Sequence, residues 1–339
     1  MNWNDFLLQA GATIEGENNI RFGATKNELE ALETGAVCCP LLQYGLIRFQ
    51  GEDSQAFLQG QLSSDIRALN SNAAQYSSYS TPKGRMQASF LISRQGDDYL
   101  LQIAAELQAA IQKRLAMFIM RSKTKASDAN EQLVQVGLAG PNAATLITKL
   151  FGTAPAAFEV HHHDNASVIG LEGARFQIIA SPSALQLIWE LLIANGAIAA
   201  GTSVWQLTEI RAGAPWITAA TQEEFVPQMA NMELIGGVSF TKGCYPGQEI
   251  VARTQYLGKL KRRTYRMHVD SLDVAAGQDV YSPEMNGQAS GKIMLAAPAP
   301  QGGSEVLVVA QIASLEQGLH LQDANGPKLT QLSLPYALN

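Results

Sequence analysis

The chain has 339 residues, 46% of them apolar and 16% charged, which places it among folded globular proteins and excludes a disordered or low-complexity chain. A net charge of −6 excludes a general attraction to nucleic acid, and no apolar run approaches the ~18 residues that a membrane span needs. The opening Met1-Asn2-Trp3-Asn4-Asp5 lacks the cation and apolar stretch of a signal peptide, so the expected compartment is the cytoplasm.

In chain order, Asn4–Ala10 and Lys26–Leu32 read as short helices around a Gly/Asn-rich middle, and Tyr44–Phe49 as a strand. Asp53 and Ser54 are suited to cap a helix that carries Phe57, Leu58 and Leu62. Strands follow at Gln75–Ser80, Met86–Ser93 and Tyr99–Ile103, then a helix over Ala105–Met120 with Leu107, Ile111, Leu115, Phe118 and Ile119 as its core stripe. After Arg121–Asp128 a new unit is expected. It has strands at Leu133–Leu138, Val160–Ile169 and Arg175–Ala180, and helices at Ala143–Phe151 and Ser183–Ala194. Val204–Ala212 reads as a helix, and from Lys261 onward about six short strands separated by Gly and Asn-Gly turns predict a small barrel or sandwich.

Three cysteines, an odd number with Cys38 and Cys39 adjacent, do not form a disulfide framework. The run His161-His162-His163-Asp164 invites a metal hypothesis, but adjacent strand residues face opposite ways and no second ligand cluster matches it, so no metal site is assigned. The run Lys259, Lys261, Arg262, Arg263 and Arg266 lacks interleaved stacking aromatics apart from Tyr256 and Tyr265, so direct nucleic-acid binding is not expected.

One stretch concentrates chemistry: Lys242-Gly243-Cys244-Tyr245-Pro246-Gly247-Gln248-Glu249, followed by Arg253. The glycines permit a tight turn presenting Cys244, Lys242 and Arg253 can favour its thiolate, and Gln248 and Glu249 offer an amide and an acceptor.

These residues, with Phe57–Leu62, Asp65, Pro82-Lys83-Gly84-Arg85, Ala212–Pro215, Phe225–Gln228, Asn231 and Leu334-Pro335-Tyr336, resemble the YgfZ family in the same order along the chain. That family comprises folate-binding proteins related to the glycine cleavage T-protein and to a mitochondrial iron–sulfur assembly factor. The resemblance implies an α+β, T-protein-like ring of three domains: a discontinuous folate-binding domain (1–130 and 200–245), a ferredoxin-like domain (131–199) and a C-terminal β-barrel (246–339). It implies tetrahydrofolate as cofactor, with Tyr44 and Trp205 contacting its rings and Lys83, Arg85, Arg121 and Lys123 as candidates for its carboxylate tail. Gln248, Glu249 and Arg253 would hold the loop or the ligand. Cys244 would be the functional thiol, tuned by Lys242, in a factor that supports iron–sulfur cluster assembly or repair, including for cluster-dependent tRNA-modifying enzymes. Its partners would be folate and iron–sulfur enzymes or assembly proteins. The alternative is a folate-dependent aminomethyltransferase like T-protein. Against it, Gln87 and Ala88 stand after the Gly84 turn, and Arg211 stands before Ala212-Gly213, where that enzyme carries acids.

Overall fold

The computed structural model describes every residue except Met1, Glu17 and Asn339. Its contacts gather the chain into two compact units. The first is Met1–Ser54, Leu69–Gln75 and Leu91–Thr208, and the second Gln55–Ala68, Tyr76–Phe90 and Glu209–Asn339.

The first unit contains a six-stranded sheet in the order Val160–His163, Ala166–Leu171, Arg175–Ala180, Val134–Ala139, Val37–Pro40 and Ile198–Ala199. All its pairs are antiparallel except the last. The apolar face of Pro182–Ala194 packs on it through Leu185, Trp189 and Leu192. Ser181 accepts the Ala184 N–H, and Pro182 sits in the first turn, where its missing N–H costs nothing. Trp3 and Leu7 of the first helix, Trp3–Gln9, complete this core. In the same unit Tyr44–Gln50 pairs on one side with Asp98–Ala104 and on the other with Lys125–Asp128.

Several sequence expectations change here. Val160–Ile169 is not one strand but the start of a hairpin, because Asp164 and Asn165 turn the chain so that His163 pairs with Ala166. The 105–120 helix ends at Ala116, leaving Met117 63%, Phe118 49% and Met120 88% exposed. The chain must turn there for Lys125–Asp128 to return beside Tyr44–Gln50, so only Leu107, Ile111 and Leu115 of the stripe are buried. Val37–Pro40, unassigned in the sequence, is an interior strand whose two cysteines are fully buried.

In the second unit, six strands close a barrel in the order Arg262–Val269, Ser304–Gln311, Ala289–Pro298, Asp279–Tyr281, Leu319–Leu321 and Lys328–Leu332, with the last pairing back on the first. Closure leaves no free sheet edge, and Met267, Val269, Val280, Ile293, Val306, Val308 and Leu319 fill the interior. A helix at Gln248–Tyr256, also unassigned in the sequence, follows the signature turn. Among the described residues no helix is long and apolar enough to cross a membrane.

Candidate functional site

Cys244 is exposed, whereas Cys38 and Cys39 have no accessible surface. Burial pushes both of those thiols up, well away from a reactive thiolate. The loop that presents Cys244 is fixed from the side opposite to solvent. Lys242 is 8% exposed and its Nζ donates to the carbonyl oxygens of Leu62 at 2.6 Å and Ser64 at 2.8 Å, with the Tyr245 ring 5.2 Å away. Burial lowers the Lys242 pKa to about 8, against an opposing pull from Asp65. Tyr245 is also buried, which pushes its phenol up to about 12.

The segment that Lys242 grips belongs to a buried hydroxyl network. Ser63 Oγ donates to the Gly237 carbonyl at 2.6 Å and accepts the Ser78 N–H at 2.8 Å. Ser64 Oγ donates to Ser77 Oγ at 2.8 Å, and the Ser239 N–H donates to the Ser63 carbonyl at 2.9 Å. The approach to Cys244 is therefore stitched at 237, 239 and 242 to residues 62–64. Sequence reasoning missed this network, although Ser63-Ser64 and Ser77-Ser78 were visible as paired hydroxyls.

Two glycines set the far side of the loop. Gly247 has φ +81°, and a Cβ there would lie 2.5 Å from the Thr81 carbonyl oxygen and 2.8 Å from Gly84 Cα. Gly84, at φ +73°, lies against Ile250. The Thr81–Arg85 turn, closed by Gly84 N–H to Thr81 O and Thr81 N–H to Arg85 O, thus rests on the start of the Gln248–Tyr256 helix. That contact brings Lys83 and Arg85 to the signature. Lys83 is exposed, and Arg85 donates to the Glu224 carbonyl. Gln248 turns its amide back to the Lys242 carbonyl at 3.4 Å, while Glu249 and Arg253 are exposed on the helix. Gln228 Nε2 donates to the Val251 carbonyl at 2.7 Å and anchors that helix from the Phe225–Gln228 motif.

Other motif residues hold the unit together. Asn231 Nδ2 donates to the Thr264 carbonyl, and Tyr336 donates to the Gly213 carbonyl at 2.9 Å. Of the basic run, Arg263 binds Glu233 at 2.6 Å and Arg266 binds Glu305 at 2.7 Å. Arg211 shares Glu305 at 3.1 Å. Gln87 donates to Glu223 Oε1 at 2.8 Å, and Glu209 accepts the Trp216 indole N–H at 2.9 Å. Glu209 stands two residues before Arg211, whereas Glu223 lies outside the sequence motifs.

The remaining candidates lie in the first unit. Tyr44, 8% exposed, lines a cleft of about 730 Å³. Trp205 is 1% exposed; its six-membered ring covers Gly137, where a Cβ would approach within 2.3 Å, and the Arg175 guanidinium lies 5.5 Å from it. Arg121 and Lys123 are exposed, and Lys123 pairs with Glu52 at 2.5 Å. His162 bridges the Ser71 carbonyl and Ser167 Oγ, and the described residues contain no group of three or more metal-ligating side chains.

Comparison with known proteins agrees with this layout. Residues 14–235 match the family model described as the GCVT N-terminal domain. The chain is 31% identical over 304 residues to the tRNA-modifying protein YgfZ of Colwellia psychrerythraea, covering 88% of this chain and 92% of that protein. It is 30% identical to the protein of the same name from Sodalis glossinidius, with the same coverage. The fold matches the glycine cleavage system aminomethyltransferase T from Bartonella henselae with a TM-score of 0.80, over 98% of this chain and 96% of that one, at 15% identity. The chain therefore belongs to the GCVT N-terminal domain family and, within it, to the YgfZ proteins.

Proposed function

We propose that this chain is a cytoplasmic tetrahydrofolate-binding protein that supports assembly or repair of iron–sulfur clusters, including those of tRNA-modifying enzymes, with Cys244 as its functional thiol. The observation that carries this reading is the presentation of Cys244. It is an exposed thiol on a loop whose backbone is pinned by a buried ammonium and a serine network. A protein has little reason to fix a loop so firmly around a side chain that only faces water. The name shared by its relatives, tRNA-modifying protein, gives the reading its direction. A cluster takes about four thiolates, so one accessible cysteine serves a client or a ligand in passing rather than housing a cluster.

Within the first unit, Tyr44 supplies an aromatic wall for a folate ring in a cleft of sufficient size. When bound, such a group supplies one-carbon chemistry at its ring nitrogens; the chain's own part is to hold the ring and the tail. Trp205 offers no open ring face in this structure.

The test is complementation of cells lacking their own copy, reading iron–sulfur enzyme activity and the content of cluster-dependent tRNA modifications. Wild type restores both and Cys244→Ser restores neither; full rescue by Cys244→Ser removes the thiol from the account. The aminomethyltransferase reading has one point in its favour, the Glu223 carboxylate beside Gln87. Its discriminating assay is release of ammonia from aminomethylated carrier protein, where turnover matching a T-protein would reverse the order of the two readings.

A further inference from the structure

Folding splits the basic run of the second unit. Arg263 and Arg266 are held by Glu233 and Glu305, whereas Lys259 and Lys261 are exposed. Arg253, on the helix Gln248–Tyr256, is exposed as well. Among the described residues none of the side chains of Arg253, Lys259 and Lys261 has an ion-pair or hydrogen-bond partner. The three cations lie within five residues of Tyr256 along the chain, and Glu249, the exposed carboxylate of this segment, stands in the first turn of the helix, at its opposite end. Folding also changes which rings accompany the run. Tyr265 is 5% exposed in the barrel core and offers no face, while Tyr256 is 67% exposed and Leu257 beside it 85%. A second ring comes from outside the run: Phe240 lies 6.0 Å from Tyr256, centroid to centroid, with the planes at 71°. Phe240 is itself fixed, because the neighbouring Ser239 N–H donates to the Ser63 carbonyl and Lys242 grips Leu62 and Ser64. An exposed tyrosine is therefore braced by an anchored phenyl ring and flanked by three free cations, on the segment that begins at Cys244.

We propose that this face binds single-stranded nucleic acid, with a base stacked on Tyr256 and phosphates on Arg253, Lys259 and Lys261. Every base has a flat face that an exposed aromatic ring can stack on, and cations beside that ring neutralise the phosphates and release their counterions. A duplex keeps its base faces stacked inside, and an acidic peptide answers the cations but leaves the ring idle, so the pairing of ring and cations favours a single strand over both. The net charge of −6 makes the attraction local to this face. The proposal goes beyond the folate and cluster reading and does not depend on it.

Fluorescence anisotropy of the full chain with labelled oligonucleotides of about twelve nucleotides tests it. The probes are a mixed-sequence RNA, the DNA of the same sequence and the duplex of each, with a polyglutamate peptide as competitor and salt varied. A single strand binds saturably, and log affinity falls against log salt with a slope of about −2, the value for three phosphate contacts. Tyr256→Ala weakens binding about tenfold, whereas Tyr256→Phe, which keeps the ring, binds as wild type. The double variant Lys259→Gln, Lys261→Gln binds more weakly and with a slope shallower by about 1.4. Thermal melts control for folding. RNA binding tighter than DNA names RNA as the source of the strand, and the reverse names DNA. The proposal is overturned if no single strand binds, if the duplexes bind more tightly, or if both folded loss variants, Tyr256→Ala and the double lysine variant, bind as wild type. Displacement of the strand by polyglutamate at equal charge overturns it too and assigns the face to an acidic protein.

Discussion

Replacing Lys242 by methionine tests whether the signature lysine is a structural clamp. The substitution keeps most of the hydrocarbon stem and leaves the carbonyls of Leu62 and Ser64 without their donor. Two bonds from a charged donor contribute about 1.5–3 kcal/mol each. Against that stands the cost of holding an ammonium in a site that lowers its pKa from 10.5 to about 8, roughly 3 kcal/mol. The net loss at pH 7 is then about 0–3 kcal/mol. The pH dependence is more diagnostic. The native pKa lies below the unfolded one, so between pH 8 and 10.5 the unfolded chain binds more protons and wild-type stability rises with pH. From pH 7 to about pH 9.5 that gain is about 2 kcal/mol, and the methionine variant lacks it. Urea unfolding of both proteins at the two pH values, read by tryptophan fluorescence, gives the double difference, in which other titrating groups cancel. A deficit that stays constant or shrinks at the higher pH would refute the buried clamp.

Three further outcomes follow from the same structure. Gly247→Ala places a Cβ 2.5 Å from the Thr81 carbonyl at φ +81°, so it should cost about 2–4 kcal/mol by thermal melt and lower complementation; a neutral result would mean the turn is not held as described. Cys244→Ser should change stability by less than about 0.5 kcal/mol, and native-state alkylation followed by mass spectrometry should label Cys244 while Cys38 and Cys39 react only after unfolding. Glu305→Gln removes the one carboxylate shared by Arg211 and Arg266 and should destabilise by about 3–5 kcal/mol in a denaturant melt, a loss that Arg211→Met in the same chain partly relieves.

The parts of the fold that were legible are those whose pattern repeats. The barrel strands are short runs spaced by Gly and Asn-Gly turns, and Asp279–Tyr281 and Leu319–Leu321 fall where the sequence sets them. Ala143–Phe151 and Arg175–Ala180 are likewise recovered to the residue. Val37–Pro40 has four residues, too few for a period to show, and owes its place to neighbours far along the chain, Gly137 and Leu138 among them. The Gln248–Tyr256 helix buries one residue, Val251, so it has no apolar stripe to read; its start is set by Gly247 and by the Thr81–Arg85 turn.

The site divides along the same line. The exposure of Cys244 was legible because the glycines that present it are adjacent to it in the chain. The role of Lys242 was not, because its partners are the carbonyls of residues 180 and 178 positions away. A sequence shows a cation two residues from a thiol and invites an electrostatic pairing between them. The fold turns that cation inward, where both of its bonds go to backbone oxygens and the Tyr245 ring covers it. Lys242 then acts on Cys244 by fixing the loop that carries it. A lysine in that role cannot be exchanged for arginine, since the planar, longer guanidinium does not fit a site shaped for a compact ammonium. Lys242→Arg should therefore disturb the loop nearly as much as Lys242→Met, whereas a purely electrostatic partner of the thiol would tolerate arginine. Complementation by Lys242→Arg at the wild-type level would restore the electrostatic view.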